Sequence, residues 1–199
     1  MKLFYSANSP YVRKVMVCAQ LRGLDQRIEK IETNPHASPA ALVAENPLSK
    51  VPCLLTEDKF ALFDSPVICE YLDTMGDALA LFPPAGSARW VALRLQAVGD
   101  GTLDAAVARR MESVKPHETA RTAFMDRQKQ AVDRALAMLE RETLGALTDI
   151  GSVSVACALG YLDFRFGPDD WRAAHPQLAA WFASIAQHPA ITATAPPVS

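Results

Sequence analysis

The residues best suited to chemistry form two short segments, 46–52 (NPLSKVP) and 64–66 (DSP). Pro52 enters a short apolar run. A proline cannot donate to a strand ladder, so it belongs at an edge, at a strand start or beside a ligand that approaches the main chain. If the Val51-Pro52 bond is cis, the turn directs the Val51 N–H and C=O away from the sheet. Those groups then need an outside partner, and an extended peptide lying alongside would supply both hydrogen bonds.

The second segment predicts a pocket for an amino acid group. Ser65 is placed to cap a helix whose first residue is Pro66, and free N–H groups at a helix start attract a carboxylate. The Asp64 carboxylate suits an ammonium. Each segment alone also fits an ordinary edge-strand loop or an ordinary helix cap. Their joint spacing favours a receptor for a ligand with a peptide main chain and a zwitterionic end.

The elements that must position these residues follow from hydrophobic spacing. The first part of the chain predicts the order β-α-β-α-β-β-α, which is thioredoxin-like. The elements are a strand at 2–5, a helix at 11–21, a strand at 25–31, a short helix, strands at 51–55 and 59–63 that form a hairpin, and a helix at 66–75. We therefore expect an α/β thioredoxin-like domain at 1–77.

The remainder of the chain is helical in pattern. Residues 78–86 contain two prolines and end in glycine, which predicts a linker that no helix crosses. Apolar residues at three- and four-residue intervals then predict an all-α domain at 87–199 with a loose tail from 193. The predicted helices are 87–113, 117–142, 154–166 and 176–187.

Composition excludes several classes of function. The chain has 199 residues, half of them hydrophobic, and a net charge of −2, which does not favour nucleic acid or an acidic membrane as a partner. No apolar run approaches ~20 residues, and the start of the chain does not resemble a signal peptide, so we expect a cytoplasmic protein. The four cysteines stand in apolar stretches, which predicts that they are buried free thiols. The four histidines show no metal-binding spacing.

These residues resemble the glutathione S-transferase superfamily, particularly a bacterial, serine-type branch. The resemblance rests on residues 9–14 (SPYVRK), on the two segments above, on residues 156–165 (ACALGYLDFR) and on the order of the two domains. It implies glutathione as co-substrate in the first domain, a second, apolar substrate against the helical domain and a homodimer. We expect the second substrate to be an electrophile or a peroxide, and the histidine spacing implies no metal.

The resemblance also implies roles for individual residues. Val51 becomes the main-chain partner of the cysteinyl unit, preceding a cis proline at Pro52. Asp64 and Ser65 bind the γ-glutamyl end. Lys50 lies near the glycyl carboxylate, although residues 33–36, including His36, could serve instead.

Ser9 is the residue expected to do chemistry. It lies between the first strand and the first helix, where its hydroxyl could donate to a thiolate and the helix start adds partial positive charge. The alternative is that Ser9 only caps the helix, with Pro10 at its first position. Tyr5 and Ser6 are rival hydroxyl groups.

Several further polar residues have two interpretations each. Asp100 could reach the ligand amine of a partner subunit, with Gly101 allowing close helix packing at the dimer interface; the alternative is a solvated acidic face. Arg13 and Arg165 could hold an anionic substrate or form surface pairs. Ser154 or Ser152 could cap the helix near 154 without an acidic partner, since Cys157 stands where a capping acid would follow Ser154.

The sequence therefore predicts a glutathione transferase. Two alternatives remain open: a non-catalytic interaction protein of the same architecture, and a carrier of ligands without turnover.

Overall fold

The first part of the chain forms a four-stranded sheet with strand order β2-β1-β3-β4. The computed structural model describes residues 1–76 and 78–197. β1 and β2 are parallel, whereas β3 runs antiparallel to both β1 and β4. The strands are β1 Lys2–Tyr5, β2 Glu29–Glu32, β3 Cys53–Leu55 and β4 Ala61–Leu62.

Side-chain alternation gives the sheet two buried faces. Leu3 and Leu54 enter the main core, while Phe4 and Cys53 enter a smaller cluster with Leu42 on the other face. The helices of this part are α1 Pro10–Leu21, α2 Ala40–Glu45 and α3 Ser65–Asp73. The predicted β-α-β-α-β-β-α order is confirmed, and all four cysteines of the chain are buried and free.

The strands predicted at 51–55 and 59–63 are shorter, at Cys53–Leu55 and Ala61–Leu62, and two further local predictions in this part are wrong. The strand predicted at 25–31 begins only at Glu29, because residues 25–27 form a 3-10 turn in which the Ile28 N–H donates to the Asp25 carbonyl at 3.2 Å. The third helix begins at Ser65 rather than Pro66. Asp64 therefore holds the cap position, and its side chain makes no capping hydrogen bond.

The second part consists of helices, and the predicted bounds of the first are confirmed. It comprises α4 Ser87–Ser113, α5 Thr119–Leu139, α6 Ile150–Phe166, α7 Trp171–Ala174, α8 Pro176–Ile185 and α9 Pro189–Thr192. α6 is buried along most of its length and is packed by α4 and α1. Among the described residues, no helix is long and apolar enough to cross a bilayer.

The start of α6 differs from the prediction. The helix begins at Ile150, not Ser154, because Asp149 caps it. The Ser152 N–H donates to the Asp149 carboxylate at 2.9 Å, and the Asp149 N–H donates to the Ser152 hydroxyl at 3.4 Å. This is a capping box in which the acid stands first. Ser154 and Cys157 lie buried inside the helix and cap nothing.

Glycines allow α4 and α6 to approach closely. A Cβ added at Gly99 would lie 2.7 Å from the Ser154 carbonyl carbon, and one added at Gly151 would lie 2.7 Å from the Ala92 carbonyl oxygen. Within the described chain, a Cβ at Gly101 would meet nothing within 4 Å. Inside the described chain Gly99 makes the close approach to α6, whereas the close packing of Gly101 at a dimer interface stays a prediction.

Arg22 and Asp73 fix the connection at 78–86 to the first part of the chain. Arg22 is buried and its guanidinium contacts the Asp73 carboxylate and donates to the carbonyls of Met75 and Gly76. Asp73 in turn accepts from the N–H groups of residues 81 and 82, at 2.7 and 2.9 Å. The described residues 78–86 contain neither helix nor strand. The domain boundaries at 77 and 87 stay predictions, and Asp77 and the last two tail residues, 198 and 199, lie outside the described part.

Candidate functional site

The Val51 main chain is open to an outside partner. The Val51-Pro52 bond is cis. Among the hydrogen bonds of the described residues, none uses the N–H or C=O of Val51. Asn46 holds the loop in this shape: its buried side-chain amide donates to the Lys50 carbonyl at 2.9 Å, and its amide oxygen accepts from the Leu48 N–H at 3.0 Å. The sequence interpretation included Asn46 in the segment without assigning it this role.

The start of α3 offers unpaired donors beside this edge. Ser65 is buried, Asp64 is exposed, and the hydrogen bonds of the described chain use neither the Ser65 hydroxyl nor the N–H groups of Ser65 and Val67. N–H groups at a helix start favour an anion. The helix tip can therefore accept a carboxylate, with the Asp64 carboxylate next to it free to contact an ammonium.

Asp100 lies in this neighbourhood and is held by Lys14. The Lys14 ammonium is fully buried and contacts both Asp100 carboxylate oxygens, at 2.6 and 2.7 Å. Burial alone would lower the pKa of Lys14, but Cys69 and Asp100 outweigh it and raise that pKa, so the ammonium stays charged. Burial is the largest cause that raises the pKa of the Asp100 carboxyl; Lys14 opposes that rise, and the negative charges of Asp104 and then Asp64 add to it.

Ser9 caps α1, and its O–H has no acceptor among residues 1–76 and 78–197. Its hydroxyl oxygen accepts from the Val12 N–H at 3.3 Å. A hydroxyl carries one donor and two lone pairs, so the cap uses a lone pair and leaves the O–H available. Capping and donating to a thiolate are therefore compatible at this residue, and the two predicted roles do not exclude each other.

A narrow cleft between the two parts of the chain, with room for about one water molecule, includes Ser9. Its walls come from the loop before α1, from α1 and from α6, with one residue of the tail. The lining residues are Ala7, Asn8, Ser9, Pro10, Arg13, Tyr161, Phe164 and Pro196. As far as the described residues go, this lining contains neither Tyr5 nor Ser6, the rival hydroxyl residues. Tyr161 and Phe164 stand in the stretch that carried the family resemblance, but no role was assigned to them from sequence.

Lys50 and His36 lie on neighbouring exposed loops. His36 is part of a 3-10 turn, Pro35–Ala37, whose first carbonyl accepts from the Ser49 hydroxyl at 3.1 Å. This hydrogen bond places the loop of Lys50 beside the turn of His36, and these two residues are the candidates for a glycyl carboxylate. The structure does not distinguish Lys50 from His36 as the partner of that carboxylate.

Tyr11 is a further polar residue beside the cleft. Its hydroxyl donates to the Asp104 carboxylate of α4. Burial and that carboxylate raise the pKa of Tyr11, so the phenol stays protonated at neutral pH. No sequence signal pairs Tyr11 with Asp104, because the two residues belong to different halves of the chain.

Family models match both parts of the chain. Residues 8–75 match the model described as glutathione S-transferase, N-terminal domain, and residues 104–184 match the glutathione S-transferase, C-terminal domain. These matches cover the loop before α1, the edge at Val51 and the start of α3 on one side, and most of the helical part on the other.

Individual relatives match the chain over nearly its full length. An uncharacterized GST-like protein, YibF, of Escherichia coli (strain K12) is 32% identical over 99% of both chains. A glutathione transferase family member from Pseudomonas fluorescens Pf-5, solved with bound glutathione, is 43% identical over 99% of both chains with a TM-score of 0.91. A structure of a family member from the same strain with bound S-(propanoic acid)-glutathione is 43% identical over 100% of both chains with a TM-score of 0.87.

Proposed function

Because the chain belongs to the glutathione S-transferase family, we propose that it binds glutathione in its first part and activates the thiol for attack on an electrophilic carbon or a peroxide. The observation that carries the proposal is the open main chain of Val51 beside the unpaired donors of α3. A peptide main chain pairs with the first, and an amino acid carboxylate with the second. The relatives solved with glutathione and with a glutathione thioether support this choice of ligand.

The tripeptide then has a defined direction. Its cysteinyl unit pairs with Val51 as an added strand, preceding Pro52. Its γ-glutamyl carboxylate meets Ser65 and the N–H groups of α3, and the adjacent ammonium meets Asp64. Its glycyl carboxylate extends toward Lys50 or His36.

Asp100 contributes to the ammonium subsite from the same chain in this proposal. The negative charges of Asp64 and Asp100 repel each other, and this repulsion adds to the raised pKa of Asp100 after burial and the charge of Asp104. A ligand ammonium beside both carboxylates would relieve that repulsion. This role needs no partner subunit, in contrast to the role considered from sequence.

Ser9 stabilises the thiolate in the proposed mechanism. The thiol releases its proton to solvent, and the Ser9 O–H donates to the sulfur while its oxygen continues to cap α1. The sulfur lone pair then attacks the electrophile in the cleft between α1 and α6. Catalysis comes from the fraction of thiolate and from positioning.

A homodimer is also proposed, since apolar side chains are exposed on α3 and α4. Val67, Trp90 and Val91 are 45%, 69% and 48% exposed, and an interface between two copies would bury such large apolar side chains. Sedimentation of the purified chain tests this: a monomer at all concentrations would contradict it.

Calorimetry of glutathione binding tests the proposed function. Loss of the Asp64 carboxylate removes a charged contact, so Asp64→Ala is expected to weaken binding by about tenfold or more. Asp126→Ala serves as the matched control, since Asp126 is exposed on α5, and it is expected to bind like wild type. Equal affinity of wild type and Asp64→Ala would overturn the site assignment. Binding without turnover of any generic electrophile would favour the ligand carrier instead.

A further inference from the structure

A cavity in the helical part of the chain lies apart from the proposed glutathione site. It is bounded by α5, the end of α6, the turn Gly167–Asp169 and α7, and its volume is about 310 Å³. Pockets that hold small molecules begin at about 300 Å³. Among the described residues, it shares no lining residue with the narrow cleft at Ser9. The lining residues are Lys129, Val132, Asp133, Leu136, Leu162, Phe166, Asp169, Asp170, Trp171, Ala174 and His175.

The inner wall of this cavity is apolar. Its large apolar side chains come from three helices, and each of them is buried: Val132, Leu136, Leu162, Phe166 and Trp171. Two of these side chains are aromatic rings. An apolar group that enters the cavity leaves water and contacts this wall, which favours binding in proportion to the apolar area covered.

The basic side chains at or beside the cavity already have carboxylate partners. The three pairs are Lys129 with Asp133, Arg109 with Asp169, and Arg172 with Asp163. The Lys129 ammonium contacts both oxygens of its partner, at 3.0 and 2.9 Å. These pairs cancel one another's charge, so they do not supply a free cation for an anionic ligand.

Asp170 remains as a carboxylate without a counterion. Within residues 1–76 and 78–197 it forms no ion pair. Its charge acts on Arg172, but Asp163 is the main cause that raises the pKa of that guanidinium and Asp170 a smaller one. Asp170 is exposed and lines the cavity, so it places a net negative charge at the mouth.

His175 adds a second acceptor at the same mouth. Its Nδ1 lies 2.8 Å from the Trp171 carbonyl oxygen. A carbonyl can only accept, so Nδ1 carries the proton and Nε2 of the neutral ring is an acceptor. Across the described chain, no hydrogen bond uses this Nε2. The polar groups of the mouth are therefore acceptors, whereas the wall behind them is apolar.

We propose that this cavity is a second binding site, and that its ligand is a small organic cation with an apolar ring. The ring packs on the wall that contains Phe166 and Trp171, and the ammonium group donates to Asp170 and His175 at the mouth. An anion would be repelled by Asp170. This inference does not rest on the proposed function, since the site uses no residue that binds glutathione in that proposal.

The test compares naphthylmethylammonium with naphthylmethanol, which has the same ring and no charge. Each is titrated into the full chain at neutral pH, and the indole N–H signal of Trp171 is followed by NMR. That signal is assigned by its loss in Trp171→Phe. Because the indole N–H donates to Asp163 at 2.8 Å, it reports on the wall. We expect saturable shifts with the amine, at an affinity about three- to tenfold higher than that of the alcohol.

Three variants separate charge from shape. Asp170→Asn should lose the preference for the amine and keep the affinity for the alcohol; asparagine also tolerates the φ of 41° at this position. Ala174→Leu adds volume inside the cavity and should weaken the binding of both compounds. Asp126→Asn removes an exposed carboxylate of α5 outside the lining and should match wild type.

The outcomes bear on this site separately from the glutathione site. Equal affinities of wild type for amine and alcohol, or an amine preference that survives in Asp170→Asn, would overturn the inference. So would a Trp171 signal that does not respond to the amine up to its solubility limit. Saturating glutathione should leave the amine affinity unchanged, and displacement of the amine by glutathione would place the amine in the other site and refute the proposal.

Discussion

Removal of the Ser9 hydroxyl should affect the bound thiolate more than the stability of α1. The cap bond to the Val12 N–H is long, at 3.3 Å, so its loss in Ser9→Ala should cost about 0.5–1 kcal/mol. A hydrogen bond to a charged sulfur contributes about 1.5–3 kcal/mol. Its loss corresponds to a roughly ten- to hundredfold smaller ratio of thiolate to thiol at a given pH.

Thiolate absorbance measured against pH, with glutathione bound to excess protein, gives that ratio. Ser9→Gly provides the decisive comparison, because glycine at a cap position costs only a few tenths of a kcal/mol relative to serine. We expect the glycine and alanine variants to lose the same amount of thiolate although their melting temperatures differ. Ser9→Thr keeps the hydroxyl and should resemble wild type.

Two results would refute this reasoning. If thiolate absorbance is the same in wild type, Ser9→Ala and Ser9→Gly, Ser9 only caps α1 and another group activates the thiol. If the alanine variant loses thiolate and the glycine variant does not, the effect comes from a disordered helix start rather than from the missing donor.

Three further predictions concern the scaffold that holds the site. Arg22→Ala leaves Asp73 without its buried partner and should lower the free energy of unfolding by about 3–5 kcal/mol in urea titration. Gly99→Ala forces a methyl group against the α6 main chain and should cost about 1–3 kcal/mol in the same assay. The Glu140 carboxylate accepts from the N–H groups of Gln177 and Leu178 in α8, at 3.0 and 2.9 Å. Burial raises the pKa of Glu140, but these two hydrogen bonds outweigh burial and lower that pKa below the ordinary 4.5. Its stabilising contribution should therefore be complete above about pH 4.5 and be lost as the pH falls through the folded value, so that melting temperature against pH is flatter for Glu140→Gln.

Matched variants check these three predictions. Gly101→Ala adds a methyl group to the same helix in open space and should not destabilise, so equal losses at 99 and 101 would contradict the packing argument. Lys115→Ala disturbs an exposed pair and should cost far less than Arg22→Ala. A parallel pH dependence in wild type and Glu140→Gln would exclude the Glu140 cap.

The sequence predicted elements whose signals are local. The long apolar repeat of α4, bounded by a Gly-Pro linker, predicted its bounds correctly, and the hairpin and the helix after Ser9 followed from turn and cap residues. The start of α6 was missed because Asp149 and Ser152 form a capping box in the order opposite to the common one. The start of β2 was missed because the weak alternation of residues 25–31 does not show where the 3-10 turn of residues 25–27 ends.

The features of the site that were not predicted depend on distant residues. Lys14 and Asp100 are 86 positions apart, and Tyr11 and Asp104 are 93. Gly160 makes room for Arg13 only because α6 crosses α1. No periodicity in a single chain marks such pairs, whereas the segments 46–52 and 64–66 carry their own turn and helix-start chemistry.

A crystal structure of the protein with glutathione tests the central claim most directly. The account predicts that the cysteinyl main chain pairs with the N–H and C=O of Val51, with the γ-glutamyl carboxylate at the α3 start and the sulfur within hydrogen-bond distance of Ser9. Glutathione bound elsewhere, or an unoccupied Val51 edge at saturating ligand, would contradict it.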